Sequence, residues 1–303
     1  MKPRVILAML ALCAVWGSTW MAIRVLVTAA PPMRSASLRF LLASALLLPF
    51  IRGLRLAWPA GRGLRAVLLL SFTMIAVPSA LTFWAEQRLS SGLTALIFGA
   101  MPLMTAILTP LMAGRSVPRT AWQAMIIGLG GLGFVLSGAI STSLWQAVGA
   151  VAVLGAVSLY AWSSVYAKQT LAGVHPFLST SIQFFFGGIW LGLASLLFER
   201  NRPSHWETSS IVALVFLSIF ASALSFTLYY WLLKHVEAYQ LTSLQLVVPI
   251  LAVVEGAAFM REAVPWTMML GAAVVLGSVY FVMRARPDDD GAEHLGLNRE
   301  ASR

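Results

Sequence analysis

The sequence predicts an all-α integral membrane protein of ten transmembrane helices, arranged as two inverted five-helix repeats around a central cavity. Three observations predict it. Hydrophobic residues make up 59% of the chain and charged residues 11%, against roughly 45–50% and 25% in a soluble domain. Ten apolar stretches approach the roughly 20 residues that cross a hydrocarbon core about 30 Å thick at about 1.5 Å of rise per residue. The chain also reads twice. Pro102 and Pro249 stand 147 residues apart, and the same spacing pairs Phe83-Trp84 with Tyr230-Trp231, Pro118 with Pro265, Gly130 with Gly277 and Phe134 with Phe281. Slightly smaller spacings pair Trp16 with Trp162, Pro32 with Pro176 and Phe40 with Phe184. An odd number of spans per half inserts the two copies in opposite senses, the arrangement by which many carriers build a site at the midplane.

The spans are expected near 5–27, 35–52, 64–84, 93–113 and 121–140 in the first half, residues 1–145. Those of the second half, 146–286, are expected near 146–167, 176–198, 210–233, 238–260 and 265–283. The first follows Lys2 and Arg4 and is too long and too rich in Trp and Arg for a cleaved signal. It carries Cys13, the one cysteine, which reads as a packing residue. The second follows Pro31-Pro32, and about a dozen residues from Gly53 to Gly63 lead to the third, which ends at Trp84. The fourth contains Pro102, and the fifth carries Gly130 and Phe134. In the second half Trp162 marks the sixth span, Pro176 opens the seventh, and Tyr230-Trp231 closes the eighth; Pro249 lies in the ninth, and Gly277 and Phe281 in the tenth. The gap from Arg200 to Ser209 matches the first in length, so neither gap holds a soluble catalytic domain. Residues 287–303, opening with Asp288, Asp289 and Asp290, read as a disordered cytoplasmic tail.

Basic residues orient the spans, because Lys and Arg are retained on the cytoplasmic side during insertion. An even span count puts both termini on one face. With the termini, that face holds Lys2, Arg4, Arg52, Arg55, Arg62, Arg65, Arg115, Arg119, Lys168, Lys234, Arg284 and Arg286; the other holds Arg34, Arg88, Arg200, Arg202 and Arg261. Twelve against five predicts cytoplasmic termini in a multi-pass plasma-membrane protein. It also accounts for the net charge of +10 through acidic lipid head groups, with no nucleic acid partner.

Several of these residues carry a resemblance. The chain resembles the EamA branch of the drug/metabolite transporter superfamily in Trp16-Gly17-Ser18-Thr19-Trp20, in Pro31-Pro32 with Leu38-Arg39-Phe40, and in Ala85-Glu86-Gln87 before Ser90-Ser91-Gly92. The second half adds Pro249, Glu262 and Gly271-Ala272 with Gly277. Gly114-Arg115 stands where the repeat mate has Arg261-Glu262, and Gln183 where it has Arg39. The resemblance implies secondary transport, mostly export of amino acids, related metabolites or drugs.

Candidate site residues follow from chemistry inside a membrane. Pro102 and Pro249 each free a backbone carbonyl, which needs protein, cavity water or a ligand; the competing reading is a structural kink. Gln245, one turn from Pro249, presents an amide either to a polar substrate or to a neighbouring helix. Trp16, Trp84, Trp162, Tyr166 and Tyr230 recur at repeat-related positions, as cavity wall or as packing. Ser18, Thr19 and Ser163 offer hydroxyls beside them. Glu255 is the one carboxylate well inside an expected span, and Glu86 and Arg39 stand toward the outer half; coupling or gating competes with snorkelling and simple pairing. No cofactor is called for. The four histidines fall in loops, span ends or the tail, so neither a metal site nor a catalytic group assembles. The expectation is a secondary transporter, monomeric or homodimeric, working on a small-molecule substrate in the lipid bilayer. A channel or a lipid or lipid-precursor flippase is the alternative, with an intramembrane enzyme behind both.

Overall fold

The computed structural model of the chain describes residues 3–89, 91–136, 144–251 and 266–285, and these are all-helical, with no strand among the described residues. In chain order the helices are α1 (Pro3–Ala29), α2 (Pro32–Gly53), α3 (Gly61–Ala85), α4 (Ser91–Phe98), α5 (Met101–Ala113), α6 (Arg119–Leu136), α7 (Leu144–Thr170), α8 (Pro176–Phe198), α9 (Thr208–Leu233), α10 (Ala238–Leu251) and α11 (Trp266–Arg284). Six of them, α1, α2, α3, α7, α8 and α9, are long and apolar enough to cross a bilayer, and α5, α10 and α11 supply shorter apolar segments. The end of the expected ninth span, Pro265 and the tail lie outside the described residues.

Local chemistry explains the boundaries. Pro32 and Pro176 occupy the first turns of α2 and α8, where a missing N–H costs nothing. Glu199, buried, accepts from the Met33 and Arg34 amides at 3.0 Å each, setting a negative charge on the α2 N-terminus. Glu237 opens α10 with a capping box in which its amide donates to Gln240 at 3.1 Å. Gly114, in the left-handed region at φ +62°, ends α5.

Two kinds of irregularity recur in both halves. A π-helical turn interrupts α3 at Ser71–Ala76 and α9 at Ile219–Leu224. The expected fourth span is broken at Gly99-Ala100 between α4 and α5, and α10 passes through a 3₁₀ stretch, Ser243–Leu246, and a turn at Val247 before helix resumes. The breaks fall beside the two prolines singled out from sequence, Pro102 and Pro249, and precede them. Pro102 and Pro249 each stand in the first turn after a break, a position that suits proline.

Packing joins elements across the two halves. The seams include α2 on α8, α6 on α11, α5 on α7, α3 on α7, α1 on α9 and α5 on α10. Without a hydrophobic force between helices in lipid, close approach needs small residues and hydroxyls. On the α2–α8 seam Ser37 donates to the Gly188 carbonyl at 2.8 Å, Ser44 to the Ser181 carbonyl at 2.9 Å, and Phe40 meets Phe184 at 4.9 Å. Large apolar side chains such as Leu111, Val151, Leu196 and Leu197 are exposed on the outer surface, as a lipid-facing exterior requires.

Gly187 sits where α8 crosses the π turn of α3. An added Cβ there falls 2.6 Å from Ile75 Cγ2 and 3.0 Å from the Ser71 carbonyl, whereas at Gly130 it meets nothing within 4 Å. Thermal unfolding in detergent micelles is therefore expected to show Gly187→Ala destabilised by about 1–3 kcal/mol and Gly130→Ala unchanged or slightly stabilised.

Candidate functional site

A cavity opens among α1, α2, α3, α4, α5, α7, α9 and α10, with about 740 Å³ of atom-free space counting its open side. Its wall is aromatic, with Trp16 6.0 Å from Tyr229, Trp20 4.9 Å from Phe98, and Phe98 5.8 Å from Tyr160. The broken spans border it: Phe98 and Met101 flank the break before Pro102, while Gln245 and Val248 flank the one before Pro249.

Among the described residues one cation lines this cavity. The Arg39 side chain is buried, its Nε donating to Ser222 Oγ at 2.7 Å and an Nη to the Ala221 carbonyl at 3.2 Å, both in the π turn of α9. Its guanidinium lies 5.1 Å from the Phe40 ring centre and 5.9 Å from that of Phe83. Among the described residues no carboxylate comes within ion-pair distance of it, the two ion pairs being Arg115–Glu237 and Lys168–Glu237. Two further polar atoms at the cavity, Trp20 Nε1 and Thr82 Oγ1, are buried and have no hydrogen-bond partner among the described residues. An apolar enclosure holding a cation and two idle polar groups suits a small solute that has an anionic end and an apolar body.

Of the residues singled out from sequence, Trp16, Thr19, Arg39 and Gln245 line this cavity. Ser18 Oγ donates to the Ala14 carbonyl at 3.3 Å, and Ser163 Oγ to Thr73 at 3.0 Å. Trp84 lies under Arg88, 3.9 Å from its ring centre, and Trp162 stacks on Tyr166 at 5.0 Å. Tyr230 donates to Gln183 Oε1 at 2.6 Å and contacts Met74 Sδ at 3.0 Å. Pro102 and Pro249 are buried beside the cavity but do not line it, and Glu86 is buried at the end of α3. Glu255 lies outside the described residues.

The lining contains residues that sequence reading passed over: Met74, Ser79, Thr82, Tyr160, Phe226 and Tyr229. For all of these but Tyr160 a signal existed. The 147-residue spacing pairs Met74 with Ala221, Ser79 with Phe226, Thr82 with Tyr229, Phe98 with Gln245 and Met101 with Val248, and every one of these ten residues faces the cavity.

Two clamps show the same 147-residue spacing in their carbonyl acceptors, while their cations stand 144 residues apart. Arg24, on α1, donates to the carbonyls of Glu86 and of Leu89, the latter at 3.0 Å. Lys168, on α7, donates to those of Leu233 at 2.8 Å and Val236 at 2.6 Å. Each cation thus serves carbonyls at the end of a π-interrupted helix, α3 or α9, or in the turn that follows it. Beside Lys168 a second cavity, about 690 Å³ of atom-free space counting its open side, lies between α7, α8 and α9 and is bordered by Lys234, Ser179 and Tyr230. Burial holds the Lys234 ammonium below its ordinary pKa. Burial first and the Lys234 charge second do the same for the His175 imidazole.

The model of the EamA-like transporter family matches residues 3–137 and 147–284. The chain is 30% identical over 279 residues to the uncharacterized inner membrane transporter YedA of Escherichia coli (strain K12), covering 91% of this chain and 89% of that one. Protein PagO of Salmonella typhimurium is 27% identical over 243 residues, covering 78% and 79%. The uncharacterized transporter YvbV of Bacillus subtilis is 23% identical over 312 residues, covering 99% and 98%. A protein of known crystal structure, 17% identical, superposes with a TM-score of 0.76 over 93% of this chain and 96% of its own, a likeness of fold.

The clamps and the surface ion pair differ in what they are worth. The Lys168 side chain is 22% exposed and serves two carbonyls, while Arg115, in its pair with Glu237, is 62% exposed. Lys168→Met is expected to cost about 1.5–3 kcal/mol, since it strands two helix-end acceptors, and Arg115→Ala under about 1 kcal/mol. Equal losses in thermal unfolding would show that the clamp is no stronger than a solvated pair.

Proposed function

The chain belongs to the EamA-like transporter family, a non-enzymatic class, and from that premise we propose that it is a secondary carrier exporting small amphipathic solutes by alternating access. It is a multi-pass membrane protein whose substrate is a small molecule. The proposed substrates are amino acids, related metabolites or drugs, moved across the bacterial inner membrane with both termini in the cytoplasm. The ten spans of the reading are counted with α4 and α5 as one, and residues 1–145 and 146–286 form two opposed repeats around the central cavity. Support comes from the repeat-paired lining, from the paired π turns and clamps, and from the two stretches, one per half, that the family model matches.

One observation carries the substrate side of the proposal: Arg39 is a buried guanidinium at an aromatic cavity, with neutral acceptors only among the described residues. A charge at membrane depth is costly, and a passing carboxylate that pairs with it recovers part of that cost. The aromatic faces of Trp16, Phe98 and Tyr229 would enclose the apolar part of the solute, with Gln245 and Thr19 orienting it.

Counterflow in proteoliposomes, with radiolabelled amino acids and aromatic carboxylates as probes, tests the reading. Arg39→Leu and Gln245→Ala are expected to slow uptake of a transported carboxylate, the first by about tenfold or more, with Arg39→Lys retaining part of it. Leu111→Ala, on the exposed surface, should transport normally. Flux without saturation or trans-stimulation would mark a pore in place of a carrier.

A further inference from the structure

The second cavity has a counterpart in the first half. Tyr230 borders it, and its repeat mate at the 147-residue spacing, Phe83, lines the central cavity. Ser179 also borders it, buried with a hydroxyl that has no partner among the described residues; its mate Ser35 is buried and unpartnered as well. The two cavities approach each other at Tyr230, which borders the second and touches Met74 of the first through its hydroxyl. In chemistry they differ. Among the described residues Lys168 and Lys234 border the second cavity where Arg39 alone lines the first, and Lys234 stands where the first half has Gln87.

Charge bookkeeping favours an anion. Lys168 is engaged by the Leu233 and Val236 carbonyls and lies 3.9 Å from Glu237. Lys234 donates to the Val174 carbonyl at 2.7 Å and, among the described residues, has no carboxylate at ion-pair distance, which leaves two of its three protons free. We propose that this cavity is an anion-binding vestibule, in which Lys234 and Lys168 hold a carboxylate or phosphate group against the Ser179 hydroxyl, one Tyr230 side chain from the central cavity. The proposal rests on the alternating-access reading and deepens it: solutes with an oxyanion are collected on this face before Tyr230 and Met74 part.

Thiol labelling tests it without knowledge of the substrate. In a Cys13→Ala background in phosphatidylcholine proteoliposomes, Ser179→Cys or Ala172→Cys reports on the second cavity and Thr82→Cys on the central one. The probes are methanethiosulfonate ethylsulfonate, anionic, and methanethiosulfonate ethyltrimethylammonium, cationic, each rate divided by that with a free thiol in solution. The anionic reagent is expected to react about tenfold faster than the cationic one at either second-cavity reporter, from that cavity's face only. Lys234→Gln should remove most of the preference. Equal rates, or a cationic preference, with Thr82→Cys still reached from a single face would overturn the vestibule while leaving the carrier intact. Central and second-cavity reporters both reached from both faces in one population would instead overturn alternating access. If phosphatidylglycerol in the vesicles abolished the preference, the bound phosphate would be a lipid headgroup, which also overturns the vestibule.

Discussion

A helix broken inside a hydrocarbon layer must find new partners for its freed backbone groups, and water is not there to supply them. That constraint orders this molecule. The π turns of α3 and α9 and the breaks before Pro102 and Pro249 are the places where regular bonding lapses, and they lie around the central cavity. Side chains make up the deficit. Arg39 serves the Ala221 carbonyl in one π turn, Ser71 donates to the Leu68 carbonyl at 2.6 Å beside the other, and Arg24 and Lys168 close the ends of the two interrupted helices. Irregular backbone is thus concentrated where a solute would sit, and the outer seams stay regular and tightly packed.

The electrostatics follow from the same economy. Few ionisable groups lie deep in the bundle, and those present do structural and chemical work together. Arg39 ties α2 to α9 while facing the cavity; Lys168 ties α7 to the end of α9 while bordering the second one. Neither could be exchanged for an apolar residue without stranding a carbonyl.

Much of the architecture was legible in the chain. Composition and span length indicated a helical membrane protein, and the cavity residues Trp16, Thr19, Arg39 and Gln245 were reached from buried polarity and repeated aromatics. The breaks were half legible: Pro102 and Pro249 marked the right spans, but a proline kinking a helix and a proline opening one look alike in sequence. The π turns left no mark, because an inserted residue changes neither composition nor hydropathy. Aromatic identity also misled. Trp84 and Trp162 repeat as well as Trp16 does, yet they sit on Arg88 and Tyr166, away from the cavity lining, which includes Tyr160. On α3, α4 and α5 against α9 and α10, the 147-residue spacing pairs ten lining residues with one another, whatever their type.

The seams have a consequence for how the chain comes apart. α2 grips α8, α6 grips α11 and α5 grips α10, so counterpart helices interleave and neither half encloses a core of its own. Unfolding should then be a single cooperative event, and a lone half released during synthesis would expose glycine- and serine-lined faces with no mate until the other half emerged. The first and second stretches of chain thus make one body, each supplying the faces that the other lacks.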